Sequence, residues 1–270
     1  MPTGEGKGWA KGRSANDDPR IARAAAAHRG KTYVPRVPPE RDRRRKSAPA
    51  IIEWTPNFAY AMGLLATDGA IVRGRTLSFP SADRELVEHL LRCLGKANTI
   101  SQFRTESGGL AYRTQIGDVA LCRWLPTIGI TPRKSLSLGA IEVPDEVLTD
   151  LLRGLLDGDG SIINKRARAD TRRSPGYTWE YLRTSFLSAS RPHIVWLRSR
   201  INDALGIDGY IATARSRQRP DRVMYTLRFG KRHSLELLPL IYSDPDAPRL
   251  TRKWRVWQEY QTRHSPSDLA

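Results

Sequence analysis

Cysteine is nearly absent: Cys93 and Cys122 are the only two in 270 residues, and each stands inside an apolar, helix-like run. Two thiols exclude a disulfide framework and supply too few ligands at metal spacing for a zinc site, so both read as buried thiols in a reducing compartment. No stretch approaches the roughly 18 uninterrupted apolar residues of a membrane helix, and the N-terminus lacks a signal-peptide core. The expectation is a cytoplasmic, nucleoid-associated protein with no membrane partner. His28, His89, His193, His233 and His264 are scattered without ligand spacing, and no Gly-rich phosphate loop of the Walker type occurs. Acid is scarce as well. Against 45 Lys and Arg stand 28 Asp and Glu, a net charge of +17, and a pI near 10.4 makes a polyanion the expected partner. Arg outnumbers Lys about four to one. Arg suits bidentate contact to phosphate and guanine, although a GC-rich genome would give the same excess.

What the chain does contain is a repeat. Ala61–Gly69 reads AMGLLATDG and Leu152–Gly160 reads LRGLLDGDG, and each is followed by a strand-like segment. The pattern predicts a helix, a stop at Gly69 or Gly160 in the left-handed conformation, and a strand. Asp68 and Asp159 then fall in a last turn, where the helix dipole is negative and a cation would be the stabilising neighbour. One such Asp is ordinarily a turn residue. Two at the same offset from a Gly-Leu-Leu core are equivalent positions of one duplicated unit, and a bound cation is the simplest reason for both.

These two segments resemble the LAGLIDADG motif of homing endonucleases, over roughly residues 53 to 262. Position by position, the metal-binding acid of that motif falls on Asp68 and Asp159, and the small residue that lets the motif helices touch falls on Gly63 and Gly154. The first copy departs from the pattern: the motif's earlier Asp is Ala66 there and Asp157 in the second copy. The resemblance implies an α+β fold of two αββαββα half-domains related by a pseudo-two-fold axis. Motif helices would form the interface and saddle-shaped antiparallel sheets would take DNA, as in the monomeric two-motif form.

The order of elements agrees. Residues 1–50 are rich in Gly, Pro, Arg and Lys, and the run ERDRRRK at 40–46 has no apolar face, which predicts a basic arm without a core. Half-domains over 51–140 and 141–264 follow, with a tail at 265–270 and a joint near Pro144. Phe58, Ala61, Met62 and Leu65 recur at helical spacing, while Gly63 and Thr67, then Gly154 and Gly158, leave flat strips. Serine N-caps, Ser81 and Ser188, open the second helix of each half. Thirteen positions separate Asp68 from Ser81, but 29 separate Asp159 from Ser188. The excess locates an insertion at 164–179, NKRARADTRRSPGYTW, which reads as a long basic hairpin or loop.

Phosphodiester hydrolysis in each strand needs an activated water and stabilisation of the charged transition state, and carboxylate-held divalent metal supplies both. Mg2+, or Mn2+, suits oxygen ligands with phosphate and water. The resemblance also implies a basic residue near each metal, and Lys134 (ITPRKS) and Lys253 (RLTRKW) fit. Alternation assigns DNA contacts to strand residues Arg73 and Arg75, Arg113 and Gln115, Arg183 and Ser185, Arg215 and Arg217, and Arg228, with Lys165 and Arg166 at the base of the insertion. Trp196, Trp254 and Trp257 read as packing residues. The function expected is a site-specific, metal-dependent double-strand DNA endonuclease acting as a monomer. A cleavage-deficient regulator of the same fold and an RNA maturase are the alternatives.

Overall fold

The computed structural model describes residues 48–171, 174–215 and 223–264. All but the last three residues of the basic arm, and the tail at 265–270, lie outside them. The first half runs α1 (Pro56–Thr67), β1 (Ala70–Val72), β2 (Thr76–Ser81), α2 (Arg84–Cys93), β3 (Ile100–Arg104), β4 (Leu110–Gly117) and α3 (Val119–Trp124). The second runs α4 (Leu148–Gly158), β5 (Ser161–Thr171), β6 (Ser174–Ser188), α5 (Arg191–Leu205), β7 (Tyr210–Arg215), β8 (Val223–Phe229), α6 (Lys231–Ile241) and α7 (Thr251–Arg263). The sheets share one antiparallel topology, β1-β2-β4-β3 and β5-β6-β8-β7. The architecture is therefore the expected α+β duplication. The second half carries one helix beyond the repeat, α7, where the first half has only turns around Lys134.

Each helix starts for a local reason. Thr55 caps α1, its hydroxyl accepting from the Phe58 amide at 3.2 Å, and Pro56 fills the first turn, where no amide is needed. Residues 58–66 of α1 are all buried, so this helix has a core on every side rather than one apolar stripe. The predicted serine caps are displaced: Asp83 and Ser190 occupy the N-cap positions, while Ser81 and Ser188 accept from the amides of Asp83 and Ser190, each at 3.1 Å. The serines shape the turn two residues before each helix instead of capping it.

α1 and α4 cross at glycine. A Cβ on Gly63 would stand 2.8 Å from Gly154 Cα and from Leu155 N, with Leu151 O closer still. A Cβ on Gly154 would meet Gly63 Cα at 3.0 Å and Leu64 N at 3.1 Å, with Tyr60 O closer still. The two sets of contacts map onto each other under the repeat, which is the pseudo-two-fold axis written in contacts. Gly69 and Gly160 behave differently from expectation. Neither has positive φ; each is required because a Cβ would strike its own helix, at 2.8 Å from Leu65 Cα or 2.7 Å from Leu156 Cα.

Across the axis the Tyr60 hydroxyl donates to Asp157 Oδ2 at 2.9 Å, and the Leu250 amide donates to the same oxygen at 2.7 Å. Burial pushes the Asp157 carboxyl up to about 6, against the pull of those two bonds. Arg153, almost fully buried, lies beside them and directs its donors to Pro248 O and Ile241 O, each at 2.9 Å, and to Asp150 at 2.6 Å. The insertion forms a long β5–β6 hairpin, as expected. Ala50 is buried, its amide donating to Asp118 at 2.7 Å, and Lys96 completes that anchor at 2.9 Å. Both cysteines are free thiols, and burial pushes each up to about 11. Among the described residues no helix is long and apolar enough to cross a membrane.

Candidate active site and nucleic-acid face

Packing α1 against α4 brings their C-termini together, and with them Asp68 and Asp159, the C-cap residues. Burial, then the negative charge of Asp159, pushes the Asp68 carboxyl up to about 7. Asp159 presents more of its surface to solvent, yet burial of its carboxylate raises it too. Lys134 and Lys253 pull both acids back. The structure thus gathers the four residues into one electrostatic cluster.

The lysines have a second task. Lys253 Nζ donates to the carbonyls of Leu156, Asp157 and Gly158 at 2.6, 2.8 and 3.1 Å. Lys134 Nζ donates to Thr67 O at 3.3 Å and to Gly69 O. Each ammonium therefore satisfies free carbonyls at the end of its own half's motif helix and supplies the positive charge that the dipole favours there. Burial holds Lys253 down to about 8 and lowers Lys134, with the nearby acids opposing both shifts. This is a tertiary form of helix capping, absent from the helix sequences themselves.

Each lysine is gripped by the opposite half. Arg252, next to Lys253, forks onto Asp83 at the start of α2, with Nε at 3.1 Å from both oxygens and Nη2 at 2.9 Å from Oδ2. The Thr251 amide donates to Glu85 at 3.1 Å. In mirror fashion the turn that carries Lys134 is held from α5: Ser190 donates to Leu138 O, and His193 Nδ1 lies 2.9 Å from Gly139 O. Asp83 and Ser190 are equivalent N-cap positions. Sequence alone assigns both neighbourhoods to helix capping, with Ser81, Arg84, Ser190 and Arg191 as weaker candidates for supporting the site; the paired offsets of Ser81-Ala82-Asp83-Arg84 and Ser188-Ala189-Ser190-Arg191 are the available signal.

The sheets expose one face each, opposite their helices. Arg113 and Gln115 lie on the open face of β4, level with Pro80 and Ser78 of β2, and the Arg113 guanidinium covers Phe103 at 4.4 Å. Arg183, Ser185 and Arg228 share the open face of the second sheet, Ser185 being buried against Ser161 at 2.8 Å. Lys165 joins that face and Arg166 points to the other. Two expectations are corrected. Arg73 and Arg75 are not on a strand: with Gly74 they form the β1–β2 turn, where Arg73 and Gly74 have φ of 51° and 65°, so both arginines project from its exposed tip. Arg215 alternates with Ile211, whose partner Leu227 is in the core, so it sits on the helix-covered side at the strand's exposed end. Arg217 lies outside the described residues. Trp257 is buried, as expected, while Trp196 stacks on His193 with ring centroids 5.3 Å apart and Trp254 lies under Arg249 at 4.1 Å.

No protein-family model and no curated protein sequence matches the chain. Solved structures do. The I-LtrWI LAGLIDADG homing endonuclease bound to target DNA is similar over 80% of this chain and 93% of its own, with a TM-score of 0.52 at 9% identity. A mutant of I-SmaMI is similar over 78% and 93%, with a TM-score of 0.51 at 13% identity. This chain has a LAGLIDADG-type fold. Full-length DUF199/WhiA from Thermatoga maritima is similar at a TM-score of 0.47 and 14% identity, over 78% of this chain, which spans 63% of that protein. Within the LAGLIDADG frame, Asp68 and Asp159 end the two motif helices, and β1 and β5 leave directly from them.

Among the described residues no group of three or more His, Cys, Asp or Glu is positioned to hold a metal ion. The side-chain donors at the axis are nonetheless hard and anionic: two carboxylates raised by burial at two helix ends. A divalent cation would fit that set, because it neutralises acids whose burial is unfavourable and accepts phosphate and water as its remaining ligands.

Proposed function

We propose that the chain is a metal-dependent DNA endonuclease that cuts both strands of a specific duplex. The observation that carries this reading is the meeting of Asp68 and Asp159 at the ends of two helices packed glycine to glycine, each acid with a buried lysine beside it. A pure binding surface has no use for two partly desolvated acids directed at phosphates. Asp68 and Asp159 would hold Mg2+ or Mn2+, which supplies a water of lowered pKa and charge neutralisation at the phosphoryl oxygens. Lys134 and Lys253 hold the helix ends in place and stabilise developing negative charge. Arg113, Gln115, Arg183 and Arg228 on the open sheet faces contact the groove, while Arg73 and Arg75 reach phosphate or base from a turn. Because one chain carries both half-sites, a monomer suffices for both strands.

The test is incubation of the full chain with a random-sequence duplex library and Mg2+, with sequencing of cut ends, followed by Asp68→Asn and Asp159→Asn on the recovered target. Each substitution should abolish double-strand cleavage and leave binding intact or tighter, since a charge repelling phosphate is removed. Cleavage at full rate by either variant refutes the assignment. Binding without cleavage by the unaltered chain makes it a DNA-binding protein of this fold and leaves the acids without their proposed use.

A further inference from the structure

The β5–β6 hairpin outruns its sheet. β6 pairs with β8 only over Thr184–Ser188, so Ser174–Arg183 pairs with β5 alone, as a two-stranded ribbon. At about 3.3 Å per residue that extension is on the order of 30 Å long. Its two faces differ. On one, Glu180 is tied to Asn164 at 2.9 Å, to Arg263 at 3.1 Å, and to His264, so the end of α7 braces the ribbon from behind. On the other, in alternation with those residues and in line with Arg183 of the open sheet face, stand Tyr177, Trp179 and Tyr181.

These rings have little of the protein to pack on. Tyr177 is 60% exposed and Trp179 is 44% exposed. The cross-strand neighbour of Trp179 is Ala167, too small to cover an indole. Trp179 meets Tyr181 edge-on, with centroids 6.2 Å apart, and the Arg183 guanidinium lies 5.1 Å from the Tyr181 ring centre. An apolar stripe flanked by Lys165 and Arg183 carries the charge that suits nucleic acid, and a two-stranded ribbon has the width that a major groove admits. Inside that groove the bases remain stacked, so flat rings find no base face. The apolar group on the groove edge is the C5-methyl of thymine.

We infer that Tyr177 and Trp179 read thymine methyl groups at base pairs outlying the cut, which makes the stripe a specificity element. This rests on the chain binding duplex DNA. The full chain is presented with a random-sequence duplex library, and the recovered duplex is resynthesised with deoxyuridine in place of thymine, which removes the methyl and nothing else. Binding should weaken about fourfold for each methyl read, the transfer value of one buried carbon. Tyr177→Ala with Trp179→Ala should bind both duplexes alike, at the affinity that the unaltered chain has for the deoxyuridine form. Equal binding of both duplexes by the unaltered chain overturns the inference and leaves the DNA-binding reading intact, as does a variant that keeps the full thymine preference. Failure to retain any duplex defeats both. The comparison of duplexes needs no variant, so a folding defect in the double substitution cannot rescue the idea.

Discussion

Substituting Gly63 by Ala adds one carbon where two helix backbones touch, and its consequence can be worked from the contacts. The new Cβ would lie 2.8 Å from Gly154 Cα and Leu155 N, whereas ordinary contact begins near 3.4 Å. The helices must therefore separate by more than about half an ångström, since backbone atoms on both sides cannot rotate away as a side-chain tip would. Overpacking of this kind costs about 1–3 kcal/mol, partly offset by up to about 1 kcal/mol from the better helix propensity of Ala. A net loss of about 1–2 kcal/mol corresponds to a fall of roughly 2–8 °C in Tm for a fold of this size. Gly154→Ala should behave alike. The double substitution should cost less than the two singles together, because helices parted by the first Cβ already make room for the second. Gly158→Ala supplies the contrast: its Cβ would meet Thr67 side-chain atoms, Cβ at 2.7 Å and Cγ2 at 2.9 Å. Thr67→Gly should relieve Gly158→Ala, while no side-chain truncation relieves Gly63→Ala. Thermal melts of these variants decide the matter. An unchanged Tm for Gly63→Ala, or strict additivity in the double variant, refutes the close crossing.

The remaining predictions concern the braces around that crossing. Arg252→Ala breaks an exposed ion pair worth at most about 1 kcal/mol, so Tm should barely move. It also loosens the helix start that carries Lys253, and nicked product should accumulate on a plasmid bearing the target; equal cutting of both strands at the original rate would show that the Asp83 grip positions nothing. Glu180 is held down to about 2, its bonds from His264, Asn164 and Arg263 outweighing burial, against an ordinary value of 4.5. A depressed acid contributes stability in full above about pH 4.5 and loses it as pH falls toward 2. Glu180→Gln should therefore melt earlier than the unaltered chain at neutral pH and converge with it in acid, and parallel Tm curves across that range would contradict the brace.

The duplicated motif makes most of the architecture readable, because a repeat states its own register: helix, strands, the glycine crossing and the paired acids all follow from aligning Gly63 with Gly154. The lengthened hairpin is legible as a difference in spacing. What escapes is conformational or long-range. Arg73 and Arg75 alternate like strand residues, and only Gly74 between them signals a turn with positive φ. Gly69 and Gly160 have the position of left-handed stops but serve close approach, a distinction invisible without a backbone. The carbonyl capping by Lys134 and Lys253 joins residues 65 or more positions apart, and no local pattern predicts it. The aromatic alternation Tyr177, Trp179, Tyr181 is present in the sequence, masked by the arginines that precede it.

The bond between Tyr60 and Asp157 has a counterpart that is not polar. Under the repeat, Tyr60 corresponds to Leu151 and Asp157 to Ala66, and both of these are buried. Two copies of the first half brought face to face would set the Tyr60 phenol against Ala66 twice, with no acceptor for its proton. Two copies of the second would set Asp157 against Leu151 twice, leaving a buried carboxylate without its phenol, which is the more severe penalty. One hydroxyl and one carboxylate, placed on opposite sides of the seam, thus let the halves of a duplicated chain tell partner from self, and disfavour the pairing of like halves from two molecules.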